Sequence, residues 1–167
     1  VGLRPAGRAP MREGTPLYAS ETSTDQIGAI TSGGELELIP RIAQSLGNSP
    51  QAIAGASAAQ IETLRAAYLE RTQAIAGDML ITDKRPDNFW HVGLIKRLFP
   101  GAKIIHTMRA PLDNCLSVFF QHLHPSITYA GDLADCGHHL LAEREVMAHW
   151  KALWPNDILT IDYQDII

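Results

Sequence analysis

Cysteine is scarce in this sequence, and Cys115 and Cys136 lie twenty-one positions apart with no second pair to complete a metal-binding spacing. That removes the zinc knuckle and the disulfide scaffold, and reads instead as two buried thiols in a reducing compartment. Long apolar runs are missing as well. No stretch approaches the roughly 18 to 20 apolar residues that a membrane-spanning helix needs. The first dozen residues carry Arg4, Arg8 and Arg12 without the apolar core of a signal peptide. The reading is a soluble, cytoplasmic chain with no membrane partner. An excess of positive charge is also absent: a formal net charge of −4 argues against nucleic acid as the main partner. Any anion bound here must be held by a few placed residues. Finally, Gly-x-x-x-x-Gly-Lys-Ser/Thr occurs nowhere, which disfavours a P-loop kinase or nucleoside triphosphatase.

What is present suffices for one core: 167 residues, 46% of them hydrophobic, fall near the usual size of a single domain. Residues 1–31 are rich in Gly, Pro, Ser and Thr and lack a sustained helical period, so they read as an irregular segment, with an ordered domain over 32–167. Ile39, Ile42, Ala43 and Leu46 repeat at helical spacing before Gly47 and Pro50. Ser57 and Gln60 form a capping-box pair at the head of a second helix striped by Ile61, Leu64, Ala67 and Tyr68.

The pattern then changes. Met79 to Thr82 reads as a strand, and Asn88 as the cap of a helix carrying Phe89, Val92, Ile95 and Leu98. Lys103 to Met108 reads as the next strand, and Pro111 opens another helix. A further helix runs from about His139 to Trp154, and Ile158 to Ile161 forms a third strand. Alternation of this kind predicts an α/β fold, a mostly parallel sheet flanked by helices. On the helix from Pro111 to about Leu123, the residues Leu112, Cys115, Leu116, Phe119 and Leu123 share one face and are expected in the core. Asp113, Ser117 and Gln121 then lie on the exposed side.

The stretch from Met108 to Ser117 carries the chemistry. An arginine, Arg109, ends a buried strand, and a serine, Ser117, follows on the next helix. Open parallel sheets bind ligands beyond the carboxyl ends of their strands, helix N-termini favour negative charge, and arginine offers a rigid fork of donors to phosphate. Standing alone, the pair also reads as an ordinary arginine–carboxylate contact beside an incidental serine. His122, His124, His138 and His139 lack a carboxylate or cysteine at ligand spacing and read as surface or structural residues. His106, in an apolar strand, reads as a satisfied core histidine.

Five separated segments decide between these readings: Ile81-Thr82-Asp83-Lys84-Arg85-Pro86-Asp87-Asn88, then Leu98-Phe99-Pro100-Gly101-Ala102-Lys103-Ile104-Ile105-His106, then Arg109 to Ser117, then His149-Trp150, then Ile161-Asp162-Tyr163-Gln164. In order and spacing they resemble the sulfotransferases that use 3′-phosphoadenosine 5′-phosphosulfate (PAPS). The resemblance runs from about Gly33 to Ile167 and is closest to the tyrosylprotein-sulfotransferase-like branch, whose bacterial members carry tetratricopeptide repeats ahead of the catalytic domain. It implies a P-loop-like sulfotransferase fold and transfer of a sulfuryl group from PAPS to an acceptor hydroxyl, on a small molecule or a peptide tyrosine. Carried over by residue, it implies that Arg109 and Ser117 bind the 3′-phosphate and that Tyr163 lies against the adenosine. It makes Glu35 the catalytic base and Lys84 the cation facing the transferred group. No metal is implied.

Members of this family hold the 5′-phosphosulfate in a Pro-Arg-Ser-Gly-Thr-Thr-Leu loop after the first strand. Met11-Arg12-Glu13-Gly14-Thr15-Pro16-Leu17 is the nearest counterpart here, and it is degenerate. Glu13 brings negative charge to an anion cradle and Pro16 removes a backbone donor. Arg12, Gly14 and Thr15 are the corresponding donor-binding candidates. The expectation is therefore an incomplete sulfotransferase domain, a fragment of a longer chain. Its alternative is an inactive nucleotide-binding or interaction fragment of the same fold.

Overall fold

A computed structural model describes residues 17–18, 30–77, 79–121, 123 and 127–166. Five strands, all parallel to their neighbours, form one sheet: β1 (Leu17–Tyr18), β2 (Ile30–Ser32), β3 (Leu80–Thr82), β4 (Lys103–Met108) and β5 (Ile158–Asp162), in the order β2-β3-β1-β4-β5. Helices flank them: α1 (Leu38–Ser45), α2 (Pro50–Gly55), α3 (Ala58–Ala76), α4 (Val92–Leu98), α5 (Pro111–Phe120) and α6 (Leu133–Leu153). The expected α/β class holds. The order matters for function, because β2 and β3 lie on one side of β1 and β4 and β5 on the other, and such a switch point leaves a crevice at the carboxyl ends of the strands.

Each element has a local cause. Ser57 caps α3 by accepting from Gln60 N, and the Gln60 side chain accepts from Ser57 N in return, the full capping box. Asp132 caps α6 by accepting from Ala134 N at 2.7 Å and Asp135 N at 3.2 Å. This cap starts α6 two turns earlier than the apolar period alone indicates, since Gly137 and its polar neighbours dilute that period. Helix α4 is closed in on nearly every side: Val92, Leu94, Ile95 and Leu98 are all buried, in a core shared with Ile39, Tyr68, Phe99, Ile104, Met147 and Ile158. Even Lys96 of α4 is buried. Its ammonium donates to the carbonyls of Pro100 and Ala102 and pairs with Asp157 Oδ2 at 2.8 Å, so one desolvated cation ties the end of α4 to the entries of β4 and β5.

Three sequence expectations need correction. Residues 1–31, read as irregular, contain β1 and the start of β2, strands too short for an alternating pattern to show. Asn88 does not cap α4. It lies buried in the 3-10 turn Pro86–His91 that precedes that helix and donates to Asp83 Oδ1 at 3.4 Å. On α5 the assigned face is rotated in part: Leu112, Leu116 and Phe119 are exposed and Ser117 is half-buried beside Asn114 and Val118, whereas Cys115 turns inward and Asp113 and Gln121 are exposed as expected. Apolar residues lie on both sides of this helix, so period fixed its existence and not its rotation; packing against α6 fixes the latter.

Beyond the strand ends, β2 and β3 stay paired. Gly33 N donates to Thr82 O at 2.8 Å and Lys84 N donates to Gly34 O at 2.9 Å. The approach is so close that a Cβ on Gly33 would lie 2.7 Å from Thr82 O, and Gly34 takes a φ of +66°. Between them sits Asp83, fully buried, accepting from Tyr68 Oη at 3.0 Å and from Asn88. Loss of water pushes its carboxyl up to about 6, against the opposing pull of its hydrogen bonds to Tyr68, Asn88 and the Leu36 backbone N–H.

Two stability predictions follow from this packing. Leu98→Ala, at a site 1% exposed, is expected to cost about 2 to 5 kcal/mol, and Phe119→Ala, with its ring 37% exposed, clearly less. Urea denaturation of the two variants checks the order, and the reverse order would return Phe119 to the core. For Asp83 the sign follows from a folded value above the ordinary one near 3.8: the folded state binds the extra proton, so this group's contribution falls as pH rises from about 4 to above 6, by roughly 3 kcal/mol in all. Asp83→Asn should therefore gain stability relative to the parent as pH goes from 4.5 to 7. A difference that stays flat across that range would show that the carboxyl titrates normally.

Candidate active site at the carboxyl edge of the sheet

The site grows out of two strand registers. Ser32 pairs with Thr82 across β2 and β3, so the residues that follow each strand emerge side by side, and Glu35 meets Lys84. Their side chains form an ion pair, Lys84 Nζ to Glu35 Oε1 at 2.6 Å, half-exposed on the acid side. At the other end Met108 pairs with Asp162 across β4 and β5, which brings the next residues, Arg109 and Tyr163, together. The Arg109 guanidinium carbon lies 5.6 Å from the centre of the Tyr163 ring, within the range of a cation–π contact.

Between these ends runs a cleft of about 490 Å³, in the range of roughly 300 to 1,000 Å³ usual for small-molecule sites. Glu35, Lys84, Arg85 and Arg109 line it, with His106, Thr107 and Met108 from β4 and Asn114, Cys115 and Val118 from α5. Four cationic side chains, Lys84, Arg85, Arg109 and Arg144, face it against two carboxylates, Glu35 and Glu143. The cleft thus opposes the sign of the whole chain, which carries −4. Low-dielectric walls with one prevailing charge focus potential into such a space, and an anion is what it attracts.

Of the residues expected from sequence, Glu35, Lys84 and Arg109 line one cleft, and Tyr163 adjoins it through Arg109. Ser117 is half-buried on α5, but the cleft lining there is Asn114, Cys115 and Val118. Arg12, Gly14 and Thr15 lie outside the described residues, as do His122 and His124. His106 has the partner expected of a satisfied histidine, since its Nε2 bonds Glu143 Oε1 of α6. His139 stacks on Tyr129 with ring centres 3.7 Å apart and planes 6° from parallel. Burial holds the His139 imidazole below its ordinary value, so it stays neutral more readily.

Sequence reasoning passed over Arg85, Arg144 and the Asp83–Tyr68 pair. Arg85 follows the quoted lysine directly, and its place on the same turn was a usable signal. Arg144 lies on α6, thirty-five residues beyond Arg109, and no local pattern announces which turn of that helix faces the cleft. Tyr68 and Asp83 meet only once α3 has packed on β2 and β3.

Comparison with known proteins agrees with this geometry. Residues 24–167 match the model of the Sulfotransferase family. Over 137 residues the chain is 36% identical to a protein of Aquifex aeolicus (strain VF5) that bears the name "Uncharacterized protein", a match that covers 77% of this chain and 18% of that protein. The chain thus spans less than a fifth of the curated relative it matches. No helix among the described residues is long and apolar enough to cross a membrane. With a parallel sheet, a cationic cleft at its carboxyl edge and a family match over most of its length, the chain belongs to the sulfotransferase family.

Proposed function

We propose that this domain transfers a sulfuryl group from PAPS to an acceptor hydroxyl on a small molecule or a peptide, in the manner of the tyrosylprotein-sulfotransferase-like branch. The observation that carries the reading is the 2.6 Å contact between Glu35 and Lys84 in a cleft that also holds Arg109. Carboxylate and ammonium at one end, and a guanidinium beside an aromatic ring at the other, suit a donor that is anionic at both ends and aromatic between.

The chemistry asks for these types. A hydroxyl acceptor with a pKa of about 10 or above is protonated at neutral pH, so a base must take its proton while the new bond forms. Glu35 accepts that proton as the acceptor oxygen bonds to sulfur. The bond from sulfur to the bridging phosphate oxygen breaks, and adenosine 3′,5′-bisphosphate departs with the electron pair. Protonation of Glu35 also cancels the charge that holds Lys84, so the ammonium's strongest partner becomes the oxygen on which negative charge is growing. At the far end Arg109 takes the 3′-phosphate, with Ser117 as a second donor and the Tyr163 ring against the adenosine. Arg85, whose guanidinium lies 3.7 Å from Asp87 Oδ2, and Arg144 add positive potential to the cleft. Arg12, Gly14 and Thr15 are assigned to the 5′-phosphosulfate. The proposal extends to a parent chain with tetratricopeptide repeats ahead of this domain, on the resemblance alone.

Calorimetry with two nucleotides tests the donor half. Arg109→Ala should weaken adenosine 3′,5′-bisphosphate by about ten- to a hundredfold and adenosine 5′-monophosphate far less, since a charge-assisted contact of ~1.5 to 3 kcal/mol is lost only where the 3′-phosphate exists. Equal losses would withdraw Arg109 from that role. Glu35→Gln should leave bisphosphate binding intact and lower sulfate transfer by about 10²- to 10⁴-fold. Binding without transfer in the parent chain would instead favour an inactive nucleotide-binding fragment.

A further inference from the structure

Asp83 lies behind the cleft and does not itself line it, yet it holds both sides of the reacting pair. Its carboxylate is fully buried and accepts from three elements: Tyr68 Oη of α3 at 3.0 Å, Asn88 Nδ2 of the 3-10 turn at 3.4 Å, and the backbone N–H of Leu36. Leu36 follows Glu35, and Asp83 itself precedes Lys84. The same stretch is pinned by Gly33 N to Thr82 O and Lys84 N to Gly34 O. A buried carboxylate keeps its donors because losing one leaves charge without compensation in a medium that cannot supply water. The backbone on either side of it is consequently tied by these bonds, whereas the Glu35 and Lys84 side chains beyond are partly exposed and depend on that backbone for their meeting.

We infer that Asp83 is a positioning residue, a clamp between the backbone of Glu35–Leu36 and that of Lys84 that sets the base and the ammonium at working distance, with Tyr68 and Asn88 fixing the clamp itself. The inference rests on the roles given above to Glu35 and Lys84. Its structural half, however, stands on the Glu35–Lys84 pair alone. Acylation by acetic anhydride followed by mass spectrometry reads that half, because a lysine paired with a carboxylate is a poorer nucleophile than a free one. In Asp83→Asn, labelling of Lys84 should rise severalfold while labelling of the buried Lys96 stays at the parent level. Transfer kcat should fall by about a hundredfold, the usual size of an ångström-scale misplacement. The Kd for adenosine 3′,5′-bisphosphate should hold, because Arg109 and Tyr163 follow two other strands, β4 and β5.

Tyr68→Phe removes one donor and keeps the ring in the core, so it should give the same pattern with smaller amplitude, and it decides the matter alone if Asp83→Asn fails to fold. Lys84 and Lys96 rising together would mean general loosening and would overturn the clamp, as would unchanged Lys84 labelling in both variants. If the parent chain transfers no sulfate, the function proposed above fails, while the Lys84 and Lys96 labelling still settles the clamp.

Discussion

A carboxylate sealed from water has to find its hydrogen-bond donors inside the protein, and at Asp83 that demand organises the amino-terminal half of the fold. Tyr68 reaches it from α3, Asn88 from the turn before α4, and a backbone N–H from the segment leaving β2. Because these donors come from three elements, the elements cannot shift independently without stranding the charge. The raised proton affinity of Asp83 is the visible cost of this arrangement. It marks a site where burial outweighs hydrogen bonding, and natural proteins keep such sites where geometry has value.

The amino-terminal edge of the sheet, opposite the cleft, has a second organising interaction. Lys96, buried in α4, holds Asp157 and two carbonyls, and Lys103 of β4 also pairs with Asp157 Oδ1. Asp157 stands immediately before β5, so the start of that strand is fastened to the start of β4, and Ile104 N donates to Asp157 O at 2.8 Å. The two paired cations hold the Asp157 carboxyl below its ordinary range. Six residues after Asp157 the register delivers Tyr163 beside Arg109. A buried cation at the amino-terminal edge of the sheet and a buried anion at its carboxyl edge therefore fix the strands on which the cleft is built.

Much of this was legible in the sequence, and the boundary of what was legible is physical. Strands β3, β4 and β5 showed as apolar runs between helical stretches, and the capping box at Ser57 and Gln60 announced α3 to the residue. Glu35, Lys84, Arg109 and Tyr163 were chosen through resemblance, and the sheet brings them to one edge in two neighbouring pairs. What the residues alone could not say was direction and depth. Helix α5 is apolar on both sides, so its rotation depended on α6, and Ser117 turned inward where exposure was expected. Asp83 read as one polar residue in a loop, because nothing local indicates that a tyrosine fifteen residues earlier will arrive to bury it. The short β1 and β2 take their identity from neighbours on the sheet and carry too few residues for any periodicity.

The turn between α6 and β5 spans only Trp154 to Asp157, and Asp157 N donates to Trp154 O at 3.1 Å within it. Substitutions of Pro155 and Asn156, whose side chains are exposed and make no bond that fixes the strands, can be absorbed there, whereas Asp157 is held by its two lysines. Insertion or deletion of a single residue cannot be absorbed, because strand side chains alternate with a period of two and one step of slippage turns every β5 residue to the opposite face of the sheet. Tyr163 would then leave Arg109 although neither residue had changed. Descent in this lineage should consequently be permissive of spelling at Pro155 and Asn156 and strict about spacing across the turn, with the count of residues there, more than the identity of those two, acting as the inherited quantity.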